Sequence, residues 1–164
     1  MKTKISPCLW FDTQAEEAAR FYTGIFKDSK ITAISRYTAA GQEAHGQPAG
    51  SVMTVAFELN GQSFTALNGG PLFKFTEAVS LQIACATQKE VDYYWERLSE
   101  GAEPDAGQCG WLKDKFGLSW QIVPEMLPRL MTDPQTDKSA RAFKAMMGMK
   151  KLDIEGLQRA FDGP

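Results

Sequence analysis

Thr13-Gln14-Ala15-Glu16 returns 74 positions later as Thr87-Gln88-Lys89-Glu90, and that repetition decides how the rest of the chain is read. Each copy is T-Q-x-E, and each opens a helix-like run with an aromatic residue at the same offset, Phe21 in one and Trp95 in the other. A T-x-x-E stretch is a capping box: the Thr hydroxyl accepts from an orphan first-turn amide, and the Glu carboxylate reaches back to the amide of the cap residue. Downstream, Gly61-x-Ser63-Phe64 recurs 56 positions later as Gly117-x-Ser119-Trp120, each time beside a turn. The correlated copies predict a duplicated fold with a cleft between its paired halves.

The first half reads β-α-β-β-β. Ile5 to Phe11 is short, apolar and bounded by Asp12, which predicts a buried strand. Thr13 to Phe26 carries Ala15, Ala18, Ala19, Tyr22 and Phe26 near helical spacing. Ile31 to Tyr37 is rich in β-formers, whereas residues 39–50 are small, polar and glycine-rich and read as a loop. Val52 to Leu59 and Gln62 to Leu67 flank Asn60-Gly61, the sequence a type I′ hairpin turn demands. The second half repeats the order. A strand is predicted over Val79 to Ala86, a helix over Gln88 to Ser99, a weak strand near Ala102 to Ala106, and strands over Cys109 to Lys113 and Leu118 to Val123. From Pro124 onward the pattern is helical. Asp133-Pro134 reads as an N-cap followed by Pro at the first helical position, Phe143, Met146 and Met147 as one apolar side, and Asp153 to Phe161 as a last short helix. These methionines either fill gaps over the core or meet a partner protomer.

Bulk properties exclude several classes. The chain has 164 residues, 43% hydrophobic and 23% charged, with a net charge of -2. That balance leaves no electrostatic footprint for nucleic acid. No apolar run reaches the roughly 18 residues of a membrane span, and Met1-Lys2-Thr3-Lys4 opens no signal-peptide core. Three cysteines (Cys8, Cys85, Cys109) cannot all pair, so reduced thiols and a cytoplasmic location are expected. All three fall in predicted strands and read as structural thiols.

The stretches Cys8-Leu9-Trp10-Phe11-Asp12, Ala15-Glu16-Glu17-Ala18, Phe21-Tyr22, Leu67-Asn68-Gly69-Gly70-Pro71 and above all Cys109 to Pro124 (CGWLKDKFGLSWQIVP) carry a resemblance. Over about residues 4 to 124 the chain resembles the PhnB-like branch of the vicinal oxygen chelate superfamily, whose members are often labelled 3-demethylubiquinone-9 3-methyltransferase. The resemblance implies an α+β fold of two βαβββ modules forming a curved mixed sheet around a cleft, in a homodimer. The expected boundaries are 1–75 for module one, 76–124 for module two and 125–164 for a C-terminal helical extension, within one structural domain overall.

Chelate enzymes of this superfamily hold a divalent metal with four side chains, mostly His and Glu, which the resemblance places on the cleft faces of both modules. The last ligand follows D-x-x-G-x-x-(apolar), and here that position is Gln121. The repeat carries it to Thr65 in module one, while the starting strands offer Ser6 or Pro7 and Ser80 or Leu81. None is acidic or imidazole, and neutral amides and hydroxyls bind transition metals weakly. No metal ligand set and no cofactor are therefore expected. The only histidine, His45, lies in the glycine-rich loop, as a lid residue, a general base or a solvated side chain. No Walker loop, H-E-x-x-H or G-x-S-x-G is present, and no glycine-rich strand-to-helix turn supports binding of S-adenosylmethionine.

A pocket of neutral side chains remains. Ser119, Gln121 and Val123 share one face of the last strand, and the resemblance turns that face to the cavity, leaving Trp120 under a helix like its repeat mate Phe64. Trp111 offers a flat ligand a stacking surface if it faces the cavity, or packs in the core if it does not. Asn68 either hydrogen-bonds a ligand or forms the turn; Asp114 reads as a hairpin-turn residue. The candidate ligand-binding residues are thus Thr65, Asn68, Trp111 and Gln121, with no catalytic residue assigned. Two functions follow: a metal-free small-molecule-binding protein, or a metal-dependent lyase, isomerase or dioxygenase of the superfamily.

Overall fold

A computed structural model describes residues 5–103 and 107–163 of the chain. It divides into two compact units, Met1–Phe75 and Thr76–Pro164.

The first unit holds β1 (Cys8–Phe11), α1 (Ala15–Ile25), β2 (Lys30–Arg36), α2 (Gln42–His45), β3 (Val52–Leu59) and β4 (Gln62–Asn68). Its sheet has the order β1-β4-β3-β2, with β1 parallel to β4 and the other pairs antiparallel. Asn60 and Gly61 take φ of +47° and +79°, the left-handed pair expected of the β3–β4 hairpin. Along β4 the alternation buries Phe64, Ala66 and Asn68 and leaves Thr65 and Leu67 half exposed. The buried face meets α1 through Ala15, Ala18, Ala19, Tyr22 and Ile25. Phe57 stacks between Tyr22 and Phe64, with ring centroids at 6.3 and 5.3 Å. Trp10 lies across the backbone of Gly69, where a Cβ would come within 2.2 Å of its ring, and its indole N–H donates to the Gly70 carbonyl at 2.8 Å.

Two local expectations give way here. Residues 39–50 are not wholly loop: Gln42–His45 makes one helical turn, bounded by Gly41 and Gly46 at φ of +78° and +68°. The capping box at Thr13 does not form. Gln14 occupies the cap position without a side-chain bond, and the Ala15 N–H donates instead to Asn68 Oδ1 at 2.8 Å. A tertiary cap has replaced the local one.

The second unit holds β5 (Ser80–Cys85), α3 (Gln88–Leu98), β6 (Trp111–Lys113), β7 (Ser119–Pro124), α4 (Leu127–Met131), α5 (Thr136–Met147) and α6 (Ile154–Asp162). Its sheet has the order β5-β7-β6, with β5 parallel to β7 and β6 antiparallel to it. Here the capping box forms in full: Thr87 accepts from the Glu90 amide and Glu90 accepts from the Thr87 amide. The weak strand expected near Ala102 to Ala106 is absent at Ala102 and Glu103, and 104–106 lie outside the described residues. Strand β6 is also shorter than expected. Cys109 stands in the preceding turn at φ +55°, and Gly110 follows at +83°.

The repeat is written into the strand registers. Cys8 pairs with Thr65 in one sheet and Gln82 with Gln121 in the other, offsets of 74 and 56 that match the sequence repeats. The architecture is thus α+β, with two related units and C-terminal helices.

The tail builds a small core of its own from Leu130, Ala142, Leu152, Leu157 and Phe161, with Met126, Leu127, Met131, Met146 and Met149 packed against it. Asp133 does not cap α5. Gln135 holds that position, and Asp133 Oδ1 accepts from its N–H at 2.8 Å. The expected apolar side is split: Met146 packs inward, while Phe143 and Met147 are 52% and 46% exposed. Gln88 fastens the tail to α3, donating to the Leu152 carbonyl and accepting from the Ile154 N–H.

The cap geometry yields a direct test. Asn68→Ala removes bonds to Ala15 and Val52 and leaves a buried amide and a half-buried carbonyl unpaired, so urea unfolding should show a loss of about 2–3 kcal/mol. Thr87→Ala should cost about 1 kcal/mol, while Thr13→Ala should fall well short of that because no capping bond is lost. Equal losses at Thr13 and Thr87 would contradict this assignment of the caps.

Candidate functional site

The second sheet presents two unlike faces. Leu112, Trp120 and Ile122 are buried on the helix-covered face. Asp114 anchors that side of the β6–β7 turn. Its Oδ1 accepts from the Phe116 and Leu118 amides, and its Oδ2 accepts from the Trp120 indole at 2.8 Å. The turn role expected of Asp114 is therefore joined by a second, the fixing of the Trp120 ring.

The other face carries Ser80 and Gln82 from β5, Ser119 and Gln121 from β7, and Trp111 and Lys113 from β6. The register sets Trp111 opposite Gln121, Lys113 opposite Ser119 and Gln82 opposite Gln121. This decides what alternation left open: Trp111 shares the face of Gln121. The Gln121 amide is held from both sides, Nε2 donating to Ser80 Oγ at 2.7 Å and Oε1 accepting from Gln82 Nε2 at 3.1 Å. The cluster is uncharged.

Beside the outer strand β6 lies a cleft of about 410 Å³, whose described lining is Glu77, Gly107, Gln108, Trp111, Leu112, Lys113 and Ser119. Gln121 flanks Trp111 but is not among its lining residues. Glu77 and Lys113 form an ion pair at the rim, with side chains 64% and 38% exposed. The Lys113 hydrogen bond is the main cause that holds the Glu77 carboxyl below the usual range.

The four sequence-derived candidates are thus divided. Trp111 and Gln121 come together in the second unit. Thr65 lies on the open face of the first sheet between Cys8 and Ala56. Asn68 is 6% exposed: its amide is spent on Ala15 and Val52, and its carbonyl accepts from the Tyr37 hydroxyl at 2.7 Å. It fastens the end of β4 to α1 and β3. His45 Nδ1 accepts from the Gln47 N–H, and its ring lies 4.6 Å from that of Tyr37, which ties it to its own loop. Sequence reasoning missed Glu77 and Lys113. Lys113 alternates with Trp111 and was recoverable, whereas Glu77 sits in a segment without periodicity.

The profile of the family described as 3-demethylubiquinone-9 3-methyltransferase matches residues 3–123. The chain belongs to that family. Among solved structures, the PhnB protein of Bacillus cereus is 36% identical with a TM-score of 0.62, covering 74% of this chain and 99% of its own. Protein PA1353 of Pseudomonas aeruginosa (17% identity, TM-score 0.56, 76% and 98% covered) and the fosfomycin resistance protein FosX of Mesorhizobium loti (14%, 0.51, 86% and 99%) share the fold. No curated protein matches the chain. The family profile ends at residue 123, so α4, α5 and α6 lie beyond it.

The three thiols are free and unlike one another: Cys85 is buried, Cys8 exposed and Cys109 between them. Only Cys85 is the interior thiol expected of all three. Burial, followed by the charges of Glu90 and Glu125, pushes it up to about 11. At pH 8 about one Cys85 in a thousand is then thiolate, and thiolate is the reactive form. Ellman's reagent should titrate Cys8 first and reach Cys85 only on unfolding, and Cys8→Ser should abolish the fastest phase. A fast phase that survives in Cys8→Ser would overturn this ordering.

Proposed function

We propose that this chain is a metal-free small-molecule-binding protein, cytoplasmic and homodimeric, whose pocket is the Trp111 cleft of the second unit. Trp111 supplies a stacking surface, and the uncharged Gln121 stands beside it on the same face of the sheet. The observation that carries the reading is the Ser80–Gln82–Gln121 cluster. The resemblance puts a metal-binding Glu at position 121, and here a carboxamide is hydrogen-bonded to a hydroxyl and a second carboxamide. Such donors do not fit a transition metal, which takes imidazole, carboxylate or thiolate far more strongly. Among the described residues, no group of three or more His, Cys, Asp or Glu could hold a metal ion.

The methyltransferase in the family's description finds no support in the topology. Both strand-to-helix turns beside a parallel pair, Asp12-Thr13-Gln14 and Ala86-Thr87, lack the glycines that let a nucleotide-type cofactor approach a helix N-terminus. The three free thiols support a reducing compartment. Phe143 and Met147, one helical turn apart and half exposed on α5, support a protomer contact.

Metal affinity tests the pocket. Wild-type protein dialysed against Mn, Ni or Zn and analysed by plasma mass spectrometry should retain none in stoichiometric amount, and Gln121→Glu should gain none either. One metal per wild-type protomer would restore the lyase, isomerase or dioxygenase reading. For the dimer, light scattering should give about twice the 18.2 kDa chain mass. Phe143→Ser with Met147→Ser should shift the equilibrium toward monomer; a wild-type mass equal to one chain would refute it.

A further inference from the structure

We infer that the Trp111 cleft takes an organic anion, whose acidic group replaces Glu77 as the partner of Lys113. This rests on the proposed ligand-binding reading of the same cleft and adds the ligand's charge.

Three observations on separate elements lead there. First, Trp111 and Lys113 are two residues apart on β6 and line the same cleft, so an aromatic surface and a cation point to one side of one strand. Second, the remaining described lining is a backbone glycine, an amide, an aliphatic side chain and a hydroxyl, so Lys113 and Glu77 are the charges among the described lining residues. Third, Glu77 belongs to neither sheet nor helix. It stands in the turn before β5 and reaches Lys113 from outside. The cleft thus holds a cation whose counter-ion is supplied by an exposed turn side chain.

The exposure of the pair makes the exchange inexpensive. An ion pair open to water contributes little to stability, because both groups are well hydrated when parted. A ligand whose ring system covers Trp111 shields Lys113 from water and gains a stronger charge-assisted bond than Glu77 makes at the rim. Glu77 then swings into solvent at small cost. Its carboxylate stands in for the ligand when the cleft is free, which keeps Lys113 paired. Lys113 also lines the adjoining hollow of about 150 Å³ with Trp95, Ser99, Glu103 and Lys150, so a longer ligand has room to extend under the same cation.

Two dyes that share an anilinonaphthalene skeleton separate charge from shape: anionic 8-anilinonaphthalene-1-sulfonate and neutral N-phenyl-1-naphthylamine. Fluorescence titration of the full chain should show tighter binding of the sulfonate. Lys113→Met should weaken it by about tenfold, Glu77→Gln should tighten it several-fold, and neither should move the neutral dye. Trp111→Ala should weaken both dyes. Equal binding of the two dyes, sensitive to Trp111 but indifferent to Lys113 and Glu77, would overturn the charge assignment and leave the pocket standing. Dye binding indifferent to Trp111→Ala would remove the pocket itself, and the inference with it. Glu77→Gln leaves Lys113 in place, so its effect reads the exchange even if Lys113→Met folds poorly.

Discussion

Each unit depends on one constraint: its first strand lies parallel beside its last. A parallel pair cannot be closed by a tight turn, so the chain must cross over, and in both units the crossover carries a helix of eleven residues over one face of the sheet. Which residues are core and which remain on the open face follows from that choice. Phe64, Ala66, Trp120 and Ile122 go under the helices, while Thr65 and Gln121 are left on the other side. A one-residue slip in either pairing would bury Thr65 or Gln121 and expose an aromatic ring, which is why the offsets of 74 and 56 are kept together.

The two units solve the same capping problem differently, and the reason lies at one pair of equivalent positions. Where β4 ends in Asn68, β7 ends in Pro124, 56 residues on. The next residues still correspond: the Gly69 N–H donates to the Phe11 carbonyl and the Glu125 N–H to that of Cys85. Asn68 has an amide to spare for the start of α1, so Thr13 is released from capping. Pro124 has no polar side chain, and α3 must rely on its own Thr87 and Glu90. One T-Q-x-E is a working capping box and the other is a copy whose job has passed to a neighbour in space.

That contrast marks how far the sequence could be read. Period-two alternation, the Asn-Gly turn and the repeat located the strands and the helix-covered faces, because these are local or set by burial. It failed where a tertiary contact overrode a local preference, at Thr13, and where backbone strain shortened a strand, at Cys109. In the candidate site, Trp111 and Gln121 were legible from their positions on predicted strands, although only the register put them on one face. Glu77 was not legible. Its position depends on the side chain it meets, 36 residues away, and no periodicity encodes that.

The tail helices bear on the site although they lie outside the family profile. The turn leading into β6 is strained, with two successive residues at positive φ. It is held by the tail: Met149 and Lys150 offer their carbonyls to the Cys109 and Gly110 amides at 2.8 Å. Leu152 packs so closely that a Cβ on Gly110 would stand 2.9 Å from its Cδ1 and from the Ile122 carbonyl oxygen. Gln108, which lines the cleft, donates to the Met147 carbonyl. Lys151 meets Asp92 on α3 at 2.6 Å, and that hydrogen bond, followed by one from Gln88, keeps the Asp92 carboxyl below its ordinary range. Among the described residues β6 has one neighbouring strand, and it is only three residues long. Ladder bonds alone hold such a strand loosely, so the fixed placement of Trp111 and Lys113 depends on the tail that clamps the turn before them.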